Sequence, residues 1–237
     1  MKSFIRSVLN TLHLDLTKNL KYDRLTKKII RKYLNNNSNC IDVGCHKGEI
    51  LDLLLNQCSN GNHFAFEPIP VFFNALKNKY HNKATIFPYA LGEENGVDTF
   101  QYVVNAPAYS GLKKRDYDNI EPQIEEIEVQ IKTMDDCIPA NASIDFIKID
   151  VEGGEFGVLK GSKRILSADK PILLFEFGVG ASDFYNIHPE EFFEYLSSFG
   201  YKIYALDAFI KSENHYSKRQ FVQCYRKKQE YYFVGKI

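Results

Sequence analysis

The sequence has no excess of charge of either sign. Thirty Lys and Arg are balanced by thirty Asp and Glu, so no global field gathers nucleic acid and any basic patch has to be local. Paired-cysteine signatures are missing as well. The five cysteines, Cys40, Cys45, Cys58, Cys137 and Cys224, are odd in number, form no Cys-x-x-Cys pair and lack the histidine spacing of a zinc site. They read as reduced, mostly buried thiols of a cytoplasmic protein. No apolar stretch reaches membrane-spanning length, and the N-terminus lacks the uninterrupted apolar block of a signal peptide. There is no internal repeat, and no low-complexity tract beyond the run Asn35-Asn36-Asn37-Ser38.

Present instead are 237 residues, 44% of them hydrophobic and 25% charged, enough for one sizeable core with a short appendage. The asparagine run divides the chain into an N-terminal helical extension, residues 1–38, and a main domain, residues 39–237. Within the extension, Phe4, Ile5, Val8, Leu9 and Leu12, then Leu25, Ile29, Ile30, Tyr33 and Leu34, recur at helical spacing and predict two helices. Nine Lys or Arg face only Asp15 and Asp23 there. Such a surface is either a solvated helix face or a peripheral contact with an anionic membrane or a partner protein.

The main domain opens on Asn-Cys-Ile-Asp-Val-Gly-Cys-His-Lys-Gly-Glu, residues 39–49. A short apolar run, two glycines and a leucine-rich helical pattern read as a buried strand, a tight turn and a helix. Gly44 lets the backbone turn sharply and a ligand approach; Gly48 permits close packing where the helix starts. The turn is not the Gly-x-Gly-x-x-Gly of a dinucleotide site, and Glu49 in the first helical turn would repel a phosphate. S-adenosylmethionine has no phosphate and carries a sulfonium and an ammonium group, which an acidic cradle accepts. Asp42 can serve the ammonium. Glu67, 19 positions after Gly48 at the end of the next strand pattern, can accept hydrogen bonds from the ribose hydroxyls. Cys45 reads as a small residue against the ligand, and His46 as either a structural residue or a contact to the methionine portion.

Strand patterns at residues 63–67, 85–90, 144–151 and 171–177 alternate with helical ones, the third of these helices following Glu152-Gly153-Gly154-Glu155 and running through Leu166. This implies a parallel sheet covered on both faces. Between the third and fourth core strands the period changes to strict alternation: Phe100, Tyr102 and Val104, then Ile127, Val129 and Ile131. These predict an inserted antiparallel segment. Its long connection, with Tyr109, Ser110 and the Lys113-Lys114-Arg115 run, is a lid, a recognition element or a plain surface excursion. In the tail, Phe209, Tyr216, Phe221 and Tyr225 either line an acceptor cleft or pack in the core.

With these residues in place, the chain resembles the FkbM-type family of S-adenosylmethionine-dependent methyltransferases. The matching motifs are Ile41-Asp42-Val43-Gly44 with Gly48, Phe64-Ala65-Phe66-Glu67-Pro68, Ala90-Leu91-Gly92, Thr133-Met134-Asp135-Asp136, the run from Ile144 to Gly153, and Phe175-Glu176. The resemblance implies a Rossmann-like seven-stranded class I methyltransferase sheet. It also implies O-methylation of a small-molecule or glycan hydroxyl, a sugar of a surface polysaccharide being the first expectation. The cofactor set is then Asp42, Gly44, Cys45, His46, Gly48, Glu67, Ala90 and Leu91. Ligands of open α/β sheets bind outside the carboxyl ends of the strands, where Asp42, Glu67, Asp150 and Glu176 fall. Asp150, or Glu152 beside it, is the candidate general base or the holder of a divalent metal; Glu152 alternatively stabilises its turn. A small-molecule or carbohydrate substrate is expected, and nucleic acid is not. The other readings are a protein or RNA methyltransferase, or a non-catalytic nucleoside-binding domain of the same fold.

Overall fold

The computed structural model describes residues 17–115, 117 and 121–237; the helix expected over residues 4–12 lies outside them. In chain order the elements are α1 (Lys18–Tyr33), β1 (Cys40–Val43), α2 (Glu49–Gln57), β2 (His63–Phe66), α3 (Pro70–Lys79), β3 (Thr85–Phe87), β4 (Tyr89–Leu91), β5 (Gly96–Val103), β6 (Ile124–Lys132) and α4 (Met134–Cys137). There follow β7 (Phe146–Ile149), α5 (Glu155–Lys160), α6 (Lys163–Ala168), β8 (Ile172–Glu176), α7 (Pro189–Ser198), β9 (Lys202–Ala205), α8 (Leu206–Lys211), α9 (Lys218–Arg226) and β10 (Tyr232–Lys236). Seven strands form one sheet in the order β3-β2-β1-β7-β8-β10-β9. Only β10 runs antiparallel to its neighbours. Strand order reverses between β1 and β7, which opens a crevice at their carboxyl ends.

Side chains alternate across this sheet, so each buried strand feeds two cores. Ile41, Val43, Ile147, Ile149 and Phe175 pack with Phe156, Phe192 and Phe221 on one face. Cys40, Phe146, Leu174 and Val234 pack on the other, against Ile29 and Ile30 of α1, Leu54 of α2 and Phe209 of α8. Each such fully buried side chain contributes about 1.5–3 kcal/mol. By the same alternation Asp42, Lys148, Glu176 and Tyr232 fall on the second face, at the carboxyl end where the apolar packing stops. Phe209 and Phe221 of the aromatic tail are thus core residues.

Helix α1 is capped by Thr17, whose hydroxyl accepts the Leu20 N–H, and it carries Arg31 and Lys32 in its last turn. Part of its basic surface is committed inside the fold. Lys18 donates to the carbonyls of Lys228 and Gln229 at 3.0 and 2.8 Å, and Lys21 pairs with Glu230 at 2.9 Å.

Two elements depart from the sequence expectation. The third strand, expected over residues 85–90, breaks at Pro88, which has no N–H to offer a ladder. Tyr89–Leu91 then joins a second sheet of order β4-β6-β5, pairing parallel with β6, while β5 and β6 form the expected antiparallel insertion. The helix expected after Glu152-Gly153-Gly154-Glu155 and through Leu166 is two helices, α5 and α6. At Gly161 the carbonyl of Gly92 lies 2.1 Å from where a Cβ would stand, and Asp135 caps the second piece through the N–H groups of Arg164 and Ile165 at 2.7 and 3.2 Å.

Candidate active site

A cleft of about 850 Å³ lies over the carboxyl ends of β1, β2, β7 and β8. It is lined by Asp42, Gly44, Cys45, His46, Glu67, Ala90, Leu91, Asp150 and Glu152. The turn after β1 forms its floor. Gly44 has φ +71°, and a Cβ on it would stand 2.0 Å from the carbonyl oxygen of Asp150. The glycine is needed there because the β1 turn lies directly against the end of β7, so its neighbour is protein backbone. Gly48 is the expected cofactor residue that the cleft leaves out. It begins α2 at φ +79°, and its Cβ position is occupied by the Tyr80 ring, with the hydroxyl 2.3 Å away. Its role is packing.

Glu67 is buried and holds the turn in place. One carboxylate oxygen accepts the N–H of His46 at 2.8 Å, the other that of Ile69 at 3.0 Å. Burial pushes this carboxyl up to about 7 against those two hydrogen bonds. Each oxygen keeps a lone pair for a further donor. His46 is at φ 48°, its ring edge-on to Phe72 at 4.6 Å, and burial lowers its pKa so that the imidazole is neutral. Cys45 is buried, and its thiol is held well above its ordinary range.

Asp42 is fully buried, and neither carboxylate oxygen has a hydrogen bond; burial raises its pKa, opposed by Lys148. Lys148 is its register partner on β7, with Nζ 3.4 Å from Oδ1. The same ammonium lies 3.6 Å from Asp150. Burial pulls the Lys148 ammonium down, but Asp150 and Asp42 together outweigh burial and hold it above its usual value. Burial likewise pushes Asp150 up, and Lys148 with hydrogen bonds from Glu176 and Tyr232 reverses the effect, so Asp150 stays ionised. Burial and the charge of Asp150 drive Glu176 far above the carboxylate range, so Glu176 carries a proton.

Glu152 follows β7 in a left-handed conformation, φ 57°, and forms an ion pair with Arg115 from the insertion. Arg115 lies over the Tyr109 ring at 5.2 Å. The long connection thus supplies one wall of the cleft through Tyr109, Ser110, Leu112 and Arg115. The Ser110 hydroxyl is spent inside the insertion, accepting the Val103 N–H at 2.9 Å. Oxygens of Asp150, Glu152 and Glu176 lie within 4.8 Å of one another, a spacing that a divalent cation can use. Two of the three are already compensated: Asp150 by Lys148 and Tyr232, Glu152 by Arg115. That donor set does not fit a resident dication.

Among the partners that set these charges, Lys148 is visible in the sequence as a cation beside the acids, whereas Arg115 and Tyr232 are not. Arg115 had no signal beyond its basic run, and Tyr232 reaches Asp150 only because β10 inserts beside β8, with Tyr232 opposite Glu176. Glu155 was missed too. It is buried and bonds back to the N–H groups of Val151 and Gly153 at 3.0 and 3.2 Å, shaping the turn that presents Asp150 and Glu152. From the tail, Tyr225 reaches the cleft, its hydroxyl 3.0 Å from that of Ser182.

A mostly parallel sheet of this order, with a glycine turn after its first strand and acids at the strand ends, defines a class I methyltransferase fold. The FkbM methyltransferase domain model matches residues 42–203, and the chain belongs to that family. Among solved structures it is similar to methyltransferase FkbM from Methylobacillus flagellatus KT, with 18% identity over 86% of this chain and 44% of that one and a TM-score of 0.53. The chain therefore spans less than half the length of that relative. It is also similar to precorrin-6y C5,15-methyltransferase from Geobacter metallireducens GS-15, with 12% identity over 77% of this chain and 72% of that one and a TM-score of 0.43. No curated protein matches the sequence.

Proposed function

We propose that this methyltransferase transfers the methyl group of S-adenosylmethionine to a hydroxyl of a small molecule or glycan. The observation that carries the reading is Asp42, fully buried beside the glycine turn with no hydrogen bond to either oxygen while lining the cleft. A buried carboxylate that shares one ammonium with a neighbouring acid and has no hydrogen bond of its own fits a cationic ligand group. Charge accounting agrees. With Glu176 protonated, Asp42, Asp150 and Glu152 outnumber Lys148 and Arg115, and Glu67, raised to about 7, adds negative charge as it ionises. The methionine end of S-adenosylmethionine, with sulfonium, ammonium and carboxylate, has one net positive charge. Glu67 has lone pairs left for the ribose hydroxyls, and Ala90 and Leu91 give a buried apolar surface suited to adenine.

The bound cofactor supplies a methyl group on a sulfonium. The protein aligns the acceptor and excludes water, from which most of the rate enhancement comes. Asp150, held ionised, accepts a hydrogen bond from the acceptor hydroxyl. As the new carbon–oxygen bond forms, that hydroxyl becomes strongly acidic, and even a carboxylate of low basicity takes its proton. The surplus of acids around the cleft disfavours an RNA backbone as the acceptor. A cytoplasmic location agrees with five free thiols, and among the described residues no helix is long and apolar enough to cross a membrane.

Calorimetry with S-adenosylhomocysteine, followed by methyl transfer from S-adenosylmethionine to a panel of free and nucleotide-linked sugars, tests the reading. Asp150→Asn is expected to keep cofactor binding and to lose about 100-fold or more in turnover. Absence of binding by the unaltered protein would remove the cofactor assignment. Unchanged turnover in Asp150→Asn would remove Asp150 from the chemistry.

A further inference from the structure

We propose that Lys148 is a positioning residue that acts on the cofactor through Asp42, engaging one oxygen of that carboxylate so that the other faces the ligand. This inference rests on the S-adenosylmethionine reading above. Lys148 is buried in the middle of the sheet, and its ammonium has three protons to place. Two go to the glycine turn: Nζ lies 3.2 Å from the carbonyl oxygen of Val43 and 2.8 Å from that of Gly44. The third lies between Oδ1 of Asp42 at 3.4 Å and Oδ2 of Asp150 at 3.6 Å. The turn carbonyls therefore anchor the ammonium, and Asp42 Oδ2 makes no close hydrogen bond to the protein.

A ligand ammonium and Lys148 would otherwise compete for Asp42. Anchoring resolves the competition by fixing Lys148 on the Oδ1 side. Removing the lysine charge would leave Asp42 buried without a cation. A buried lone carboxylate takes up a proton instead of remaining charged, and a neutral Asp42 no longer attracts an ammonium. The groups facing Asp42 are Lys148 on β7, Asp150 just after it, Glu67 just after β2, Cys40 on β1, Cys45 in the turn and the Leu51 N–H on α2. Lys148 is the cation of this set, and the other charged groups are acids that raise the cost of ionising Asp42. A basic residue in the middle of a buried strand therefore serves the ligand, although it repels the ligand's own charge.

The test is calorimetric titration of S-adenosylhomocysteine into the unaltered chain, Lys148→Met, Asp42→Asn and the double variant, from about pH 6 to about pH 9. At neutral pH, Lys148→Met is expected to lose about ten- to a hundredfold in affinity, the range of one charge-assisted hydrogen bond. It should recover part of that loss at high pH, as Asp42 ionises again. Asp42→Asn should lose a similar factor without recovery, and the double variant should bind within about twofold of Asp42→Asn. A role for Lys148 in packing alone predicts additive losses and no recovery with pH; either result overturns the proposal, as does full affinity in Lys148→Met. Failure of the unaltered chain to bind is a distinct outcome that removes the cofactor reading itself. Should Lys148→Met not fold, the comparison of Asp42→Asn with the charge-neutral double variant still decides, since a further tenfold loss in the latter would show that Lys148 acts independently of Asp42.

Discussion

Tyr22 of α1 donates its phenolic hydrogen to Glu230, 208 positions later and just before β10. Lys21 pairs with the same carboxylate at 2.9 Å, and the Tyr231 N–H reaches the Tyr22 oxygen at 3.3 Å. Asn19, Tyr22, Thr26, Glu230 and Tyr231 all line the cleft. Helix α1 is therefore a wall of the site, clasped to the strand that delivers Tyr232 to Asp150. This gives its lysines a use that composition alone could not distinguish from a solvated face.

Tyr22→Phe is expected to cost about 1.5–3 kcal/mol of stability, because it removes a hydrogen bond to a charged acceptor and keeps the ring packing. Urea denaturation measures that loss. The same variant should weaken S-adenosylhomocysteine binding by a few-fold, through the loosened wall. An unchanged unfolding midpoint would mean that Glu230 finds equal solvation elsewhere.

Gly44→Ala is expected to be among the most damaging single methyl additions in the chain. The new Cβ meets the Asp150 carbonyl at 2.0 Å, and the backbone there has φ +71°. Strain and overlap together should exceed about 3 kcal/mol. Gly96→Ala, with nothing within 4 Å of its Cβ position, is the control, expected within about 0.5 kcal/mol of the parent. Thermal or urea unfolding of the pair makes the comparison. Equal effects would show that the β1 turn relaxes away from β7.

The elements carrying the site were legible because their signals are local. Gly44, the acid at Glu67 and the apolar run before Asp150 each sit in a strand-to-turn pattern that sequence alone displays. Pairing across the sheet has no local signal. Lys148 lies opposite Asp42, and Tyr232 opposite Glu176, only once strand order and register are fixed. Gly48 was legible as a glycine in a turn, but the reason for it, the Tyr80 ring, is 32 positions away. Pro88 and Gly161 are breakers whose effect depended on which neighbour received the chain: β6 in one case, the Gly92 carbonyl in the other.

The contribution of Glu155 to stability should fall as pH rises from about 4.5 to about 7. Its ordinary value of 4.5 is pushed up to about 7, chiefly by burial. The folded state therefore binds a proton that the unfolded chain has released across this window. The contribution is complete below the unfolded value and is lost as pH rises through the folded one. The full excursion corresponds to about 3 kcal/mol. Glutamine cannot ionise, so the stability of Glu155→Gln relative to the parent should rise by about that amount between pH 5 and pH 8. Urea titrations at the two values check this, and parallel behaviour of both proteins would mean that Glu155 titrates normally. Glu67, also raised to about 7, adds a second step of the same sign.

Glu152 and Arg115 are expected to act as a unit. Both side chains are largely shielded, and the ion pair fastens the insertion to the turn after β7. Glu152→Gln should free Arg115 and speed tryptic cleavage after it by about tenfold, since cleavage tracks the population of the opened segment. S-adenosylhomocysteine affinity should hold within about twofold, because the proposed cofactor contacts are made by Glu67 and Asp42 and not by Glu152. In a urea-denaturation cycle, Arg115→Gln and Glu152→Gln should each destabilise, and the double variant should be no worse than the poorer single one, because the second substitution removes a charge the first has already orphaned. A general-base role for Glu152 makes a different forecast: turnover would collapse in Glu152→Gln and survive in Arg115→Gln, since a base needs its own carboxylate and the insertion's arginine would be incidental. Equal losses of turnover in the two variants would place Glu152 with the wall of the cleft and leave the proton to Asp150.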